Sequence, residues 1–275
     1  MSNHVEHNAE TKVDMFRNLP SDIRCGQSDR LSILREGCEI LDIQLNSQKI
    51  IQFEQYYHLL ADWNKRINLT SITTYEDVQS KHFLDSLVSI PLWTHELAIP
   101  FPLERPLHLV DVGTGPGFPG IPLKIVEPSL KVTLIDGTGK KIRFLQEVVQ
   151  QLGLEHVQVV QGRAEELGRQ PAYRGQFDLV TARAVAPLNT LVEYLLPLCR
   201  RGGLVVAYKG ANAAHEFVAA QEAIAVLGGE TARFAPVEVP TLTEKRTVCL
   251  IAKNKRTPAK YPRGQGLARK KPLGG

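Results

Sequence analysis

Apolar residues recur along this chain at two different spacings, and the change between them divides the sequence into two parts. Up to residue 91 the spacing is helical. It predicts a short helix from Leu31, a longer helix capped by Ser47 and a third helical stretch after Thr74. From residue 107 onward, short apolar runs alternate with helical stretches, which predicts parallel strands joined by crossover helices. A proline-rich loop from Leu92 to Pro106 is the best linker candidate between the two parts.

The second part is predicted to form an α/β fold with a sheet of seven strands. Five strands are expected at 107–112, 131–136, 157–161, 177–182 and 204–209, and helices at 119–126, 140–152, 188–198 and 213–227. Two further β-like runs, 233–239 and 246–252, have no helix between them and should therefore pair as an antiparallel hairpin. The predicted organisation is a flexible leader at 1–30, an N-terminal helical portion at 31–91, a ligand-binding sheet domain at 107–253 and a basic tail at 254–275.

The composition is that of an ordinary soluble globular protein, with 43% hydrophobic and 23% charged residues. No apolar run approaches the roughly 20 residues of a membrane span, and the polar segment before Leu31 lacks the apolar core of a signal peptide. We therefore expect a cytoplasmic protein that does not bind a membrane. The cysteines show no metal-ligand spacing, so no metal site is predicted and reduced structural thiols are expected at Cys25, Cys38, Cys199 and Cys249.

The net charge of +4 is distributed unevenly along the chain. The segment 252–275 carries eight basic residues and no acidic one, so the rest of the chain has a net charge of about −4. Two interpretations of this basic tail remain open. It is either a solvated, disordered end or an arm that contacts the phosphates of a nucleic acid.

A glycine-rich turn at 111–120 follows the first predicted strand of the sheet and begins a helix. The pattern Gly115-x-Gly117-x-x-Gly120, with Asp136 at the end of the next strand, matches the dinucleotide fingerprint. In a second register, Asp111-x-Gly113-x-Gly115-x-Gly117 resembles the first motif of class I S-adenosylmethionine-dependent methyltransferases, in which Asp136 would hold the ribose. The turn by itself predicts a nucleotide-like cofactor and leaves both families open.

Three later stretches and the closing hairpin favour the methyltransferase register. The segment 162–166 follows the third strand, Arg183 ends the fourth strand, and Lys209 ends the fifth. Ligands of open α/β sheets bind at the carboxyl ends of the strands, where these residues are expected. In this register Gly120 starts a helix and is no longer a fingerprint glycine.

Taken together, these motifs make the chain similar to the bacterial guanine-N7 methyltransferases of small-subunit ribosomal RNA, over residues 31 to 273. The segments that carry the resemblance are 63–70, 81–86, 111–122, 162–166, the stretch around Arg183, 261–263 and 270–273. The resemblance implies a Rossmann-like class I methyltransferase fold, S-adenosylmethionine as cofactor and a specific guanine of 16S rRNA as acceptor. It also implies that the RNA is bound within the small ribosomal subunit. We expect the protein to be a monomer.

The resemblance also implies which residues contact the cofactor. They belong to the glycine turn, the end of the second strand, the segment after the third strand and the end of the fourth: Gly113, Gly115, Gly117, Phe118, Asp136, Gly137, Thr138, Gly139, Ala164, Glu165 and Arg183. One departure is the stretch Asp136-Gly137-Thr138, where many relatives have Ser or Ala after the acid. The turn that binds the ribose is therefore expected to differ slightly.

The chemistry predicted for the acceptor needs alignment more than acid–base catalysis. Guanine N7 carries an sp² lone pair that attacks a sulfonium methyl without losing a proton, by in-line displacement. Cations that pair with guanine O6 and N7 would recognise the base. The candidates for positioning it are Arg183, Lys209 and His82. The RNA-binding candidates are Lys81, Lys209, Tyr261, Arg263, Arg269, Lys270 and Lys271. Cys199 is expected in a helix as a structural thiol.

Three other functions stay open at this point. The chain would be a class I methyltransferase with a protein or small-molecule acceptor, an NAD(P)-dependent oxidoreductase that uses the overlapping fingerprint, or an RNA-binding protein that has lost catalysis. Binding of S-adenosylmethionine in place of NAD(P) would separate the oxidoreductase from the others. Identification of the methylated base would separate the rest.

Overall fold

The computed structural model describes residues 31–210 and 213–274, so the leader predicted at 1–30 lies outside the described residues. The chain begins with helices α1 (Ser32–Ile40), α2 (Ser47–Asn64) and α3 (Tyr75–Asp77), a π-helical segment (Val78–Leu84), and helices α4 (Asp85–Leu87) and α5 (Ile90–Leu97). It continues with β1 (His108–Val112), α6 (Gly120–Val126), β2 (Lys131–Asp136), α7 (Gly139–Gln151), β3 (Val157–Gln161), α8 (Ala164–Leu167), β4 (Phe177–Arg183) and α9 (Leu188–Leu195). It ends with β5 (Cys199–Lys209), α10 (Ala213–Val226), β6 (Gly229–Val237), β7 (Arg246–Lys253) and α11 (Leu267–Lys270).

The strands form one seven-stranded sheet in the order β3-β2-β1-β4-β5-β7-β6. Strands β1 to β5 pair in parallel. Strand β7 is antiparallel to both β5 and β6. The predicted fold class, a mostly parallel sheet with a C-terminal antiparallel hairpin and a helical N-terminal extension, is confirmed. The strands that follow β1 are added on one side of it, as β2 and β3, and later strands are added on the other side, beginning with β4. Open sheets of this kind bind ligands at the point between β1 and β4 where the strand order reverses.

Residues of each strand alternate between two separate hydrophobic clusters, one on each face of the sheet. Leu109, Leu134 and Leu179 belong to the first cluster, whereas their neighbours Val110, Ile135 and Val180 belong to the second. The first cluster contains the N-terminal helices with α6 and α7, and we call this side the N-terminal face. The second contains α8, α9, α10 and the end of the chain, and we call it the C-terminal face. The strands of a parallel sheet are buried on both sides, as this pattern requires.

The N-terminal helices pack directly on the sheet. Phe53 and Phe83 have no exposed surface and share a cluster with Leu109 and Leu250 of the sheet. The division into portions at 31–91 and 107–253 stays a prediction, but these helices and the sheet bury their apolar side chains in one core.

Three local predictions need correction. Asn46, not Ser47, caps α2, because its Oδ1 accepts from the Lys49 N–H at 2.9 Å. The predicted loop at 92–106 begins later, since α5 extends to Leu97; Pro91 is tolerated in its first turn, where the missing N–H has no helical partner. Cys199 lies in β5 and not in a helix, because α9 ends at Leu195.

The basic tail packs against the C-terminal face, so a fully solvated end is wrong for residues 254–274. Tyr261 and Ala268 are buried in the cluster of that face. The tail also contains the short helix α11. Within the described part of the chain, no helix is long and apolar enough to span a bilayer.

Candidate cofactor and acceptor site

The glycine turn is held by the carboxylate of Asp111, which is fully buried at the end of β1. Its Oδ2 accepts from Thr114 Oγ1 at 2.6 Å and from the Gly120 N–H at 2.8 Å. Helix α6 begins at Gly120, as predicted. The carboxylate therefore closes the turn and at the same time satisfies an N–H at the start of the helix.

The glycines of this turn have different reasons to lack a side chain. Gly113, Gly115 and Gly117 all have positive φ, at 67°, 61° and 108°, which favours glycine. A Cβ on Gly117 would lie 2.6 Å from Tyr56 Oη, and one on Gly113 would lie 2.7 Å from Val185 Cγ2. A Cβ on Gly115 would meet only Lys141 Nζ, at 4.0 Å. Gly117 is thus required by packing, whereas Gly115 leaves open space in front of the turn.

Two cavities open at the carboxyl edge of the sheet, and both are lined by Gly113 and Val185. The small cavity, of about 300 Å³, lies over β2 and β3. It contains five residues predicted to contact the cofactor: Gly113, Asp136, Gly137, Ala164 and Glu165. The large cavity, of about 750 Å³, lies over β4 and β5 and the N-terminal helices. It brings together Gly115, Phe118, Arg183, Lys209, His82 and Lys81.

Three residues predicted to contact the cofactor line neither cavity. Thr138 and Gly139 lie at the start of α7, and Gly117 packs under Tyr56. Thr138 still contributes indirectly, because its N–H donates to Asp136 Oδ1 at 2.8 Å. Asp136 Oδ2 accepts from the Gly115 N–H at 3.0 Å, so the carboxylate ties the two turns together.

In the large cavity, Arg183 is held by a carboxylate from the N-terminal helices. Its Nη1 lies 2.6 Å from Asp85 Oδ2, and Asp85 Oδ1 lies 3.0 Å from Arg246 Nε. The Asp85 side chain is 6% exposed, so one buried carboxylate pairs with two guanidinium groups. Charge-assisted pairs of this kind are geometrically specific and fix the arginine in one position.

His82 is neutral and its ring is fixed. Burial, together with the nearby Arg183 cation, lowers the pKa of His82 to about 3. Nδ1 lies 3.2 Å from Arg183 Nη2, which can only donate, and Nε2 lies 2.9 Å from Thr70 Oγ1. The proton is therefore assigned to Nε2. The ring stacks on Phe118 at 4.2 Å between centroids, and Arg183 Cζ is 5.2 Å from the same Phe118 ring.

The other candidate cations are less available than the sequence suggested. Lys209 Nζ lies 2.5 Å from Glu216 Oε2 and donates to the Ala186 carbonyl at 2.8 Å. Lys81 pairs with Asp77 at 2.8 Å on the exposed rim. Both line the large cavity, but the charge of each is already paired.

The structure divides the predicted RNA-binding residues of the tail into two groups. Tyr261 is 7% exposed, so base stacking by its buried ring is not supported. Arg263 is bound to the buried Glu193, with Nη2 2.6 Å from Oε2. Arg269, Lys270 and Lys271 are exposed. Of these residues, the exposed group is the one that can approach phosphates, although Arg269 also donates to the Val185 carbonyl at 3.2 Å.

Sequence reasoning did not identify Asp85 and Arg246 as site residues. Asp85 lies inside the 81–86 segment that carried the family resemblance, and an acidic residue beside His82 was the only signal for it. Arg246 is separated from Asp85 by 161 residues and begins β7, where nothing in the local pattern marks it as a partner.

One carboxylate oxygen beneath the glycine turn has no protein partner. Asp111 Oδ1 is buried and forms no hydrogen bond with any described residue. Burial raises the pKa of Asp111 to about 6, although the hydrogen bonds from Thr114 and Gly120 oppose this shift. A buried acceptor of this kind is energetically costly unless a ligand or water pairs with it.

The residues present fit S-adenosylmethionine. Asp136 supplies a carboxylate for ribose hydroxyls at the small cavity, where Val112, Ile135 and Ala164 supply apolar surface for a purine. The open space at Gly115 leads into the large cavity. A ligand that passes over Gly113 would therefore have its adenosine end in the small cavity and its methionine end beside the large one.

Comparison with known proteins identifies a family over most of the chain. The model of the family described as rRNA small subunit methyltransferase G matches residues 49–247. A ribosomal RNA small subunit methyltransferase G from Roseiflexus castenholzii is 48% identical over 231 residues, which cover 84% of this chain and 94% of the relative. The protein of the same name from Alkaliphilus metalliredigens is 44% identical and covers 88% of this chain and 98% of the relative. Among solved structures, a mutant of MtNAS superimposes with a TM-score of 0.50 at 15% identity, covering 81% of this chain and 82% of that one, which supports the fold alone.

Proposed function

The chain belongs to the family of ribosomal RNA small subunit methyltransferase G, and from that premise we propose that it transfers the methyl group of S-adenosylmethionine to N7 of one guanine in 16S rRNA. The family match removes the oxidoreductase alternative, since the protein is an S-adenosylmethionine-dependent methyltransferase of ribosomal RNA. The acceptor atom is the part that we add. We further propose that the RNA is recognised within the small ribosomal subunit, by a monomer in the cytoplasm.

The observation that carries this proposal is the large cavity, which adjoins the glycine turn and contains Arg183, His82 and Phe118. The sulfonium of S-adenosylmethionine supplies an electrophilic methyl group. The N7 lone pair forms the new N–C bond, and the electrons of the old C–S bond stay on sulfur. No proton leaves N7, so the site needs no general base. That agrees with a histidine whose pKa is about 3 and which is therefore neutral at physiological pH.

The role of Arg183 follows from the same chemistry. A donor placed on N7 would occupy the lone pair that must attack the methyl group. Arg183 is therefore proposed to donate to guanine O6 or to a flanking phosphate, and not to N7. Its pairing with Asp85 reduces the local positive charge, which matters because N7 becomes cationic as the methyl group is transferred.

Phe118 and His82 are proposed to keep Arg183 in position beside the base. The two rings are stacked on each other with an interplanar angle of 14°, Arg183 Cζ lies 5.2 Å from the Phe118 ring, and Arg183 Nη2 lies 3.2 Å from His82 Nδ1. Both rings are buried, at 4% and 8% exposed, so they fix the guanidinium group and do not themselves offer a surface to the base. A fixed donor would supply part of the alignment that an in-line displacement requires.

The test is methyl transfer to small subunits and to naked 16S rRNA from cells that lack this activity, followed by mass spectrometry of the digested RNA. We expect one 7-methylguanosine in 16S rRNA, formed faster on the assembled subunit. A methyl group found at another atom or base, or only in protein, would overturn the assignment of N7. Equal rates on naked RNA and on subunits would overturn only the proposed substrate particle. An alternative acceptor, a protein or a small molecule, would appear as transfer that does not require RNA.

A further inference from the structure

The end of the chain is fixed to the C-terminal face by buried charge. Glu193, whose side chain is 1% exposed, accepts from the Arg263 N–H at 2.7 Å and from its guanidinium Nη2 at 2.6 Å. Arg174 donates to four carbonyl oxygens near or in the same segment, those of Gly168, Thr257, Pro258 and Tyr261. A carboxylate this deeply buried needs its partner to remain in place. Residues 257–263 are therefore fixed to the C-terminal face by buried polar contacts.

Beyond this anchor the chain reaches the small cavity. Gln265, Gly266 and Arg269 line that cavity together with Asp136 and Gly137 of the sheet edge. Two hydrogen bonds fix their position. The Gly266 N–H donates to Glu165 Oε1 at 3.3 Å, and Arg269 Nη2 donates to the Val185 carbonyl at 3.2 Å. The carboxylate of Glu165, predicted to contact the cofactor, thus also holds the tail.

We infer that Gln265, Gly266 and Arg269 form the outer wall of the adenosine site and bind the adenosine part of S-adenosylmethionine. This inference rests on the proposed function, because it takes the small cavity as the place of the adenosine. It assigns to the tail a role in cofactor binding, in addition to any contact with RNA.

The chemistry of the three residues fits a purine nucleoside. A guanidinium is planar and weakly hydrated, so Arg269 can stack on a purine face, and its bond to the Val185 carbonyl already restricts it. The Gln265 amide offers both a donor and an acceptor to a base edge. Gly266 has a φ of 74°, and a Cβ there would have no heavy atom within 4 Å, so the backbone can approach the ligand closely.

The tail offers a matched control for the arginine. Arg256 is exposed like Arg269 and belongs to the same basic segment, but it does not line the small cavity. The two substitutions remove the same charge from the same segment. They differ in their distance from the proposed adenosine site.

The experiment is calorimetric titration of the full-length protein with S-adenosylhomocysteine and with 5′-methylthioadenosine, without RNA. We expect Arg269→Ala to raise the Kd of both ligands by the same factor, about fivefold or more, which corresponds to about 1 kcal/mol. The factor should be the same because both ligands carry the adenosine and only one carries the amino acid. Gln265→Ala should act in the same direction, and Arg256→Ala should change either Kd by less than about twofold.

Hydrogen exchange gives a second readout that does not depend on any substitution. Amides of residues 265–271 should exchange more slowly when S-adenosylhomocysteine is bound. The inference would be overturned if the wild-type protein binds both ligands, the Kd values of Arg269→Ala and Gln265→Ala are unchanged, and the exchange of residues 265–271 is unchanged. That result would leave the proposed function intact. Failure of the wild-type protein to bind either ligand would overturn both.

Discussion

On the N-terminal face, charged side chains from distant segments meet inside the large cavity, whereas on the C-terminal face the small cavity is lined by backbone turns and by the end of the chain. Arg183 is positioned by Asp85, which is 98 residues away in sequence. The small cavity instead uses turns that follow directly from β1, β2 and β3. From this contrast we infer that the two faces have different roles: the N-terminal face orients the acceptor base, and the C-terminal face holds the cofactor.

Each face also has one buried carboxylate that holds an arginine. Asp85 pairs with Arg183 and Arg246 on the N-terminal face, and Glu193 pairs with Arg263 on the C-terminal face. If the two faces have these different roles, neutralising Asp85 should impair the transfer step. Neutralising Glu193 should impair cofactor binding.

The largest effect is expected for Asp85→Asn. Arg183 would lose its charged partner and its fixed orientation, and misplacement by about 1 Å can cost on the order of a hundredfold in rate. We expect kcat to fall by about a hundredfold with the Kd of S-adenosylhomocysteine within about threefold of wild type. Steady-state methyl transfer with calorimetry checks both values.

Two further variants test whether Asp85 acts by positioning Arg183. Asp85→Glu keeps the charge and should recover part of kcat. Asp77→Asn removes a half-exposed carboxylate of the neighbouring α3, paired with Lys81, and should leave kcat nearly unchanged. A loss of cofactor affinity as large as the loss of kcat would contradict the roles assigned to the two faces.

Asp111 holds the glycine turn and should make the stability of the protein depend on pH. Its folded pKa of about 6 is above its ordinary value of 3.8, so the folded protein binds this proton more tightly than the unfolded chain. Its contribution to stability is therefore greatest below pH 4 and is lost as the pH rises to about 6.

Asp111→Asn should remove that loss, because the amide can keep the acceptor for Thr114 and Gly120 and has no charge to bury. We expect the free energy of unfolding of the variant, relative to wild type, to increase by about 2 kcal/mol between pH 4 and pH 7. Denaturant titrations of the ligand-free protein at several pH values measure this difference. A difference that does not vary with pH would show that Asp111 is ionised throughout this range.

On the C-terminal face, Glu193→Gln should weaken cofactor binding through the tail. The amide can retain one hydrogen bond to Arg263 but not the ion pair, so the wall formed by residues 265–269 would be less well fixed. We expect the Kd of S-adenosylhomocysteine to rise by about tenfold, with kcat at saturating cofactor within about twofold of wild type. Faster proteolysis of the tail together with an unchanged Kd would show that the tail does not contribute to cofactor binding.

The fold and the cofactor turns could be predicted from the sequence because their signals are local. The alternation of apolar runs and helices identified the sheet, and the spacing of Gly113, Gly115 and Asp136 predicted a nucleotide-like site at its edge. The partners of Arg183 could not be predicted, because Asp85 and Arg246 approach it only after the N-terminal helices and β7 pack on the sheet.

The packing of the tail could not be predicted for the same reason. Its charge pattern is that of a solvated basic segment, and nothing local indicates that Arg263 finds a buried carboxylate on α9. Basic side chains of the tail thus lie either at a buried ion pair or on the exposed surface. Only the tertiary structure shows that Arg263 belongs to the first group and that Lys270 and Lys271 belong to the second.

The smallest effect is expected for the exposed pair at the end of the tail. Lys270 and Lys271 are exposed beyond the small cavity, so the double change to Ala should leave cofactor affinity within about twofold of wild type. If both contact phosphates, the slope of log K for RNA against log salt should become less negative by roughly 1.4 to 1.8, from about 0.7 to 0.9 for each contact. Arg256→Ala with Lys260→Ala removes two exposed charges from another part of the tail, and comparison of the slopes locates the RNA on the tail. An unchanged slope for the Lys270 and Lys271 variant would confine the role of this segment to the cofactor, because its charges would then make no contact with phosphates.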